Sequence, residues 1–122
     1  MKIEDFWKDV LEQNEERLSS YFHKDAIIRW HCSNELFTVP EYIRVNCEYP
    51  GDWAGEIERL EENGNIIITA VKVYPADKSR SFNVISFLKL EAGLIIELDE
   101  YWSDDGPAPE WRQKMKLGKP IN

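Results

Sequence analysis

Hydrophobic positions follow two rhythms along the chain. In the first fifty or so residues most of them recur every three to four places; beyond residue 53 they tend to alternate every second place. Ile3, Phe6, Trp7, Val10 and Leu11 share one side of a predicted helix over Ile3–Glu12, which Gln13-Asn14 breaks. Glu15–Phe22 predicts a second short helix with Leu18, Tyr21 and Phe22 turned inward. Ala26–Cys32 predicts a strand, because Ile27, Ile28 and Trp30 favour extended backbone and the segment is too short for a helix. Its alternation separates Ala26, Ile28, Trp30 and Cys32 from Ile27, Arg29 and His31. Thr38-Val39-Pro40-Glu41 is a capping box, with Phe37 and Tyr42 as its hydrophobic staple, and Pro50-Gly51 stops the helix it opens.

The second rhythm predicts four strands: Trp53–Glu61, Ile66–Tyr74, Ser81–Leu90 and Leu94–Trp102. Glu62-Asn63-Gly64-Asn65 and Glu91-Ala92-Gly93 are the turns between them, and Pro75-Ala76-Asp77-Lys78 carries the middle connection. Helices kept apart from a largely antiparallel sheet define an α+β architecture.

Composition narrows the function. At 122 residues the chain has room for one core, so it is read as a single domain over 1–122. Its formal charge of −8 excludes a nucleic-acid binder, since phosphate contacts need clustered Lys and Arg. No apolar run reaches membrane-spanning length and the N-terminus lacks a signal peptide's apolar centre, which makes the cytoplasm the expected location. Cys32 and Cys47 are then free thiols. No glycine-rich phosphate loop, nucleophile elbow or metal-ligand spacing occurs, so neither a cofactor nor a metal is expected.

The last strand carries the candidate chemistry. One face presents Leu94, Ile96, Leu98, Glu100 and Trp102; the other presents Ile95, Glu97, Asp99 and Tyr101. Glu100 is the misfit on the apolar face. A carboxylate there must be paired, protonated or turned to a cavity, and Arg29 or Arg44 would be its cationic partner. His31 alternates away from this face.

Tyr21-Phe22-His23-Lys24-Asp25-Ala26, Glu41-Tyr42-Ile43-Arg44 and the run from Gly93 to Trp102 occur in an order that resembles the nuclear transport factor 2-like superfamily, in particular its SnoaL-like branch. The resemblance covers about residues 3 to 112. It implies a cone-shaped fold, a curved and mostly antiparallel sheet wrapped around three N-terminal helices. By that register the pocket would be lined by Phe6, Trp30, Asn46, Asn83, Ile85, Phe87, Leu98, Glu100 and Trp102. Ketosteroid isomerase-like members place a general base late on the first strand, where this chain has Trp30, a departure that argues against steroid-type isomerisation. The resemblance implies a small, largely apolar ligand in an aromatic-walled pocket, with Glu100 as the acid of any cofactor-independent isomerase, cyclase or dehydratase chemistry. The alternative is a non-enzymatic binding or dimerisation module.

Two further expectations follow. Phe82, Val84 and Leu88, with Val71 and Val73, would form an outer apolar face on which a homodimer pairs. Trp111 would fold back onto the body, beyond a segment where Pro107 and Pro109 forbid regular structure.

Overall fold

The computed structural model describes residues 1–122. In chain order it holds α1 (Ile3–Leu11), α2 (Glu15–Ser19), β1 (Phe22–Trp30), a 3-10 turn (His31–Ser33), β2 (Glu35–Phe37) and α3 (Val39–Cys47). There follow β3 (Trp53–Asn63), β4 (Ile66–Pro75), β5 (Phe82–Glu91), β6 (Leu94–Asp104) and α4 (Glu110–Met115). The six strands form one sheet in the order β2-β1-β6-β5-β4-β3. Every neighbouring pair is antiparallel except β1 with β6, which run parallel.

The capping box forms as the sequence requires. Thr38 accepts from the Glu41 backbone, Glu41 reaches back to the Thr38 N–H at 2.9 Å, and Pro40 sits in the first turn. The second predicted helix is shorter than its pattern suggests, because Phe22 already belongs to β1. β2 is an addition, a three-residue strand that pairs Trp30 with Glu35 and Ile28 with Phe37.

The core lies between the inner sheet face and the helices. α1 supplies Ile3, Phe6, Trp7 and Val10, and α3 supplies Val39, Tyr42 and Ile43. Phe6 is fully buried, with ring centroids of Trp7, Tyr21 and Phe22 between 5.4 and 6.1 Å away. The Trp7 indole N–H donates to Thr69 Oγ1 at 3.2 Å, so the one polar side chain β4 sends inward is satisfied.

A bulge decides which residues of β5 face this core. The hairpin begins with Glu91 opposite Leu94 and Leu90 opposite Ile95, but Lys89 then pairs with Glu97, leaving Ile96 as an extra residue on β6. Beyond it the register places Leu88 opposite Leu98, Ser86 opposite Glu100 and Val84 opposite Trp102. Directly opposed residues share a face, so Val84, Ser86 and Leu88 turn inward and are fully buried. Ile85 and Phe87 turn outward and are 38% and 39% exposed.

This corrects the expected assignment in two places. Asn83, Ile85 and Phe87 stand on the outer face of β5, opposite to the side that packs on the core. Val71, Val73, Val84 and Leu88, expected as an outer dimer face, belong to the core. Burying side chains of this size contributes roughly 2 kcal/mol each, and the bulged register also sets the Ser86 hydroxyl against Glu100.

The tail departs from expectation too. Residues 103–122 are all exposed, Trp111 at 65%, and the Arg112 guanidinium stacks on its ring at 5.6 Å. α4 has only six residues and buries none of them, leaving its two apolar side chains, Trp111 and Met115, exposed. No helix is long and apolar enough to cross a membrane.

Candidate ligand-binding cavity

Where β1 ends and the chain turns into β2, the sheet and the ends of α1 and α3 border a half-open cavity of about 340 Å³. α1 contributes Val10 and Leu11, and Gln13 follows directly after it. α3 contributes Val45 and Asn46, with Tyr49 just beyond. The sheet contributes Trp30, Trp53, Val73, Phe82, Trp102 and Asp104, and the β1–β2 turn brings Cys32, Ser33 and Glu35 to the mouth. Ten of these fifteen residues are hydrophobic, which makes an apolar ligand the natural occupant.

The walls are aromatic and mutually braced. Ring centroids run Tyr49–Trp53 at 5.3 Å, Trp53–Phe82 at 5.8 Å, Phe82–Trp102 at 6.3 Å and Trp102–Trp30 at 6.2 Å. All four pairs are tilted or edge-to-face, the arrangement that ring quadrupoles favour. At the helical end Gln13 Nε2 donates to the carbonyls of Asn46 (2.9 Å) and Tyr49 (2.7 Å), while Asn46 Nδ2 donates to the Val10 carbonyl at 3.1 Å. These bonds clasp α1 to α3 and hold the cavity open. Gly55 allows the close approach of α1 to the sheet, since a Cβ there would stand 2.6 Å from the Lys72 carbonyl and 3.2 Å from Leu11 Cδ1.

Behind the Trp30 and Trp102 walls lies Glu100, 1% exposed. Its Oε1 accepts from Trp30 Nε1 at 3.1 Å and its Oε2 from Ser86 Oγ at 2.6 Å. Burial pushes the carboxyl above the usual glutamate range, against the downward pull of those two donors and of the Trp102 N–H, which meets no acceptor at full hydrogen-bond geometry. The buried Tyr42 phenol is raised well above its ordinary value, first by burial and then by the charge on Glu100. No cation reaches Glu100. Arg29 pairs instead with Asp99 and Glu97 on the outer face, and Arg44 pairs with Glu48. The arrangement fixes the ring planes of the cavity wall and keeps an acid one layer behind it.

Of the residues singled out from sequence, Trp30, Asn46 and Trp102 line the cavity and Glu100 backs it. Phe6 and Leu98 are fully buried in the core and do not line it. The Asn46 amide is committed to the Val10 carbonyl, and Asn83 Nδ2 is 2.5 Å from Asp105 on the far side of the sheet. His31 stays outside, stacked on Tyr101 at 4.4 Å with Nε2 2.7 Å from Asp99. Sequence reasoning missed Tyr49, Trp53 and Phe82. The signal for the first two was their position on either side of the Pro50-Gly51 stop, where a chain reversal brings both rings together. Cys32 stands exposed at the mouth, and burial raises the Cys47 thiol, which disfavours its thiolate. No group of three or more His, Cys, Asp or Glu side chains is placed to hold a metal.

No protein-family model matches the sequence, and no match is found among curated proteins. Solved structures do match. A candidate ketosteroid isomerase from Kribbella flavida aligns with a TM-score of 0.81 at 21% identity, over 98% of this chain and 87% of that one. An NTF2-like protein of unknown function from Burkholderia xenovorans aligns with a TM-score of 0.78 at 20% identity, over 98% and 92%. A candidate SnoaL-like polyketide cyclase from Shewanella putrefaciens aligns with a TM-score of 0.70 at 12% identity, over 82% and 85%. With helices α1 to α3 against a sheet whose β1 and β6 run parallel, this chain has the nuclear transport factor 2-like α+β fold.

Proposed function

We propose that this protein binds a small, largely apolar molecule in the aromatic cavity. The observation that carries the reading is the continuous chain of five rings around a 340 Å³ space with ten hydrophobic lining residues. These rings, together with Val45, leave room that a plain core would have filled. Titration with the neutral probe N-phenyl-1-naphthylamine tests it: binding should quench the cavity tryptophans, and Val45→Phe, which puts a ring into the space, should weaken it. Probe fluorescence indifferent to Val45→Phe would remove the cavity as the site.

Acid catalysis by Glu100 is the second reading, favoured by its raised affinity for a proton in a dry setting. Its carboxyl lies behind the tryptophans and not on the lining, so a reacting group would reach it only through movement of Trp30 or Trp102. Loss of any turnover in Glu100→Gln with ligand affinity intact would support it.

A homodimer through the outer sheet face is the proposed assembly. Ile27, Ile85, Phe87 and Tyr101 are each between 38% and 42% exposed there, and the Arg29, Glu97 and Asp99 pairs beside them offer charges of both signs to a second copy. Sedimentation of wild type and Phe87→Glu checks this: the wild type should run as a dimer and the variant as a 14.4 kDa species.

A further inference from the structure

We propose that the occupant of the cavity is an organic cation, a small alkylated ammonium; the inference rests on the cavity being a ligand site. The charged side chains on its lining are Glu35 and Asp104, and no Lys or Arg stands among them. The aromatic faces carry negative potential. Neighbouring rings are tilted by 49° to 76°, so the walls cannot present ring edges alone to the cavity. An alkylated ammonium is apolar at its surface and cationic at its centre, so it gains from ring faces and carboxylates together. A neutral ligand would gain only from burial. An anion would meet two carboxylates, with no Lys or Arg on the lining to offset them.

The same ring cluster already holds a cation. Arg80, not itself a lining residue, sets its guanidinium carbon 5.2 Å from the Phe82 centroid and 5.6 Å from that of Trp53. Its charge disfavours a second cation at that end and places the ammonium at the Trp30–Trp102 end. Glu35 belongs to that end, pairing with Trp30 across β1 and β2, while Asp104 stands between the two ends, two places beyond Trp102 on β6 and directly opposite Phe82 on β5. The formal charge of −8 raises the local concentration of cations around the molecule.

Choline and its neutral isostere 3,3-dimethylbutan-1-ol separate charge from shape. In calorimetric titrations of the full chain, choline should bind roughly tenfold tighter or better than the alcohol. The double variant Glu35→Gln, Asp104→Asn should lose most of that preference while its affinity for the alcohol stays put. Both side chains are exposed, so the variant should fold as the wild type does. Alcohol binding as tight as choline, in wild type or with no change in the double variant, would overturn the cation and leave the apolar cavity standing. If neither ligand binds at millimolar concentration the inference fails, and the naphthylamine titration then decides the cavity reading on its own.

Discussion

Glu100 lies on β6 and Asp105 immediately after it, and each accepts a serine hydroxyl and a nitrogen donor. Glu100 takes Ser86 and Trp30; Asp105 takes Ser81, Asn83 and the Lys72 ammonium. The two acids are nevertheless displaced in opposite directions. Lys72, helped by Ser81 and Asn83, holds Asp105 down at about 2, whereas burial holds Glu100 up despite its donors. The Asp105 side chain is 35% exposed and the whole of Glu100 is 1% exposed. At Glu100 the neutral donors do not offset the desolvation of the carboxylate, whereas the Lys72 charge and contact with water hold Asp105 low. One acid is thus a salted surface clip and the other a buried strut for two indole rings.

The comparison breaks most sharply on removal of each acid. Glu100→Ala should cost about 3 kcal/mol, because it opens a hole and strands the Ser86 hydroxyl and the Trp30 N–H. Asp105→Ala should cost about 1 kcal/mol or less, as exposed pairs do. Urea denaturation of the two variants measures both, and equal costs would erase the distinction.

Opposite pH signatures come next in size. The folded state holds the Glu100 proton more tightly than the unfolded chain does. Stability from this group is therefore complete below the ordinary glutamate range and declines as pH rises through the raised value. Asp105 runs the other way: its contribution is complete above the ordinary aspartate range and is lost as pH falls toward about 2. Glu100→Gln should flatten the decline at higher pH and leave the acid limb. Asp105→Asn should flatten the acid limb and leave the decline.

The smallest effect sharpens the boundary between strut and surface. Truncation after Gly106 keeps Asp105 and discards only exposed residues, so the melting temperature should move by less than about 2 °C. A larger drop would mean that Trp111 packs somewhere in solution.

Much of this architecture was legible before any coordinates. The Thr38–Glu41 box announces α3, Asn63-Gly64 announces its hairpin with φ +61° at Gly64, and the face Leu98, Glu100, Trp102 does turn inward. β5 departs from its expected register for a definite reason. A two-residue hairpin at Ala92-Gly93 without a bulge would set Ile85 opposite Glu100, and both faces of β5 are apolar enough to accept either register. The extra residue at Ile96 moves Ser86 into that place instead. Sequence alternation carries no mark of such an insertion, but the need of a buried carboxylate for a hydroxyl partner does point to Ser86. The same shift turns Phe82 from the expected outer face to the cavity. Trp111 departs from its expected burial because the six-residue helix that carries it packs against nothing in the fold.

The parallel seam between β1 and β6 also sets when the cavity can come into being. β3 to β6 join neighbour to neighbour through short connections, whereas the Trp30–Glu100 bond closes a separation of 70 residues. Contacts of that span form slowly, because the chain loses loop freedom before the contact returns anything. During synthesis Trp30 emerges early and must wait for nearly the whole sheet before Ser86 and Glu100 can fix its ring. The aromatic walls are therefore among the last parts to assemble, and a chain stalled short of β6 would expose its first tryptophans to whatever apolar surface it meets.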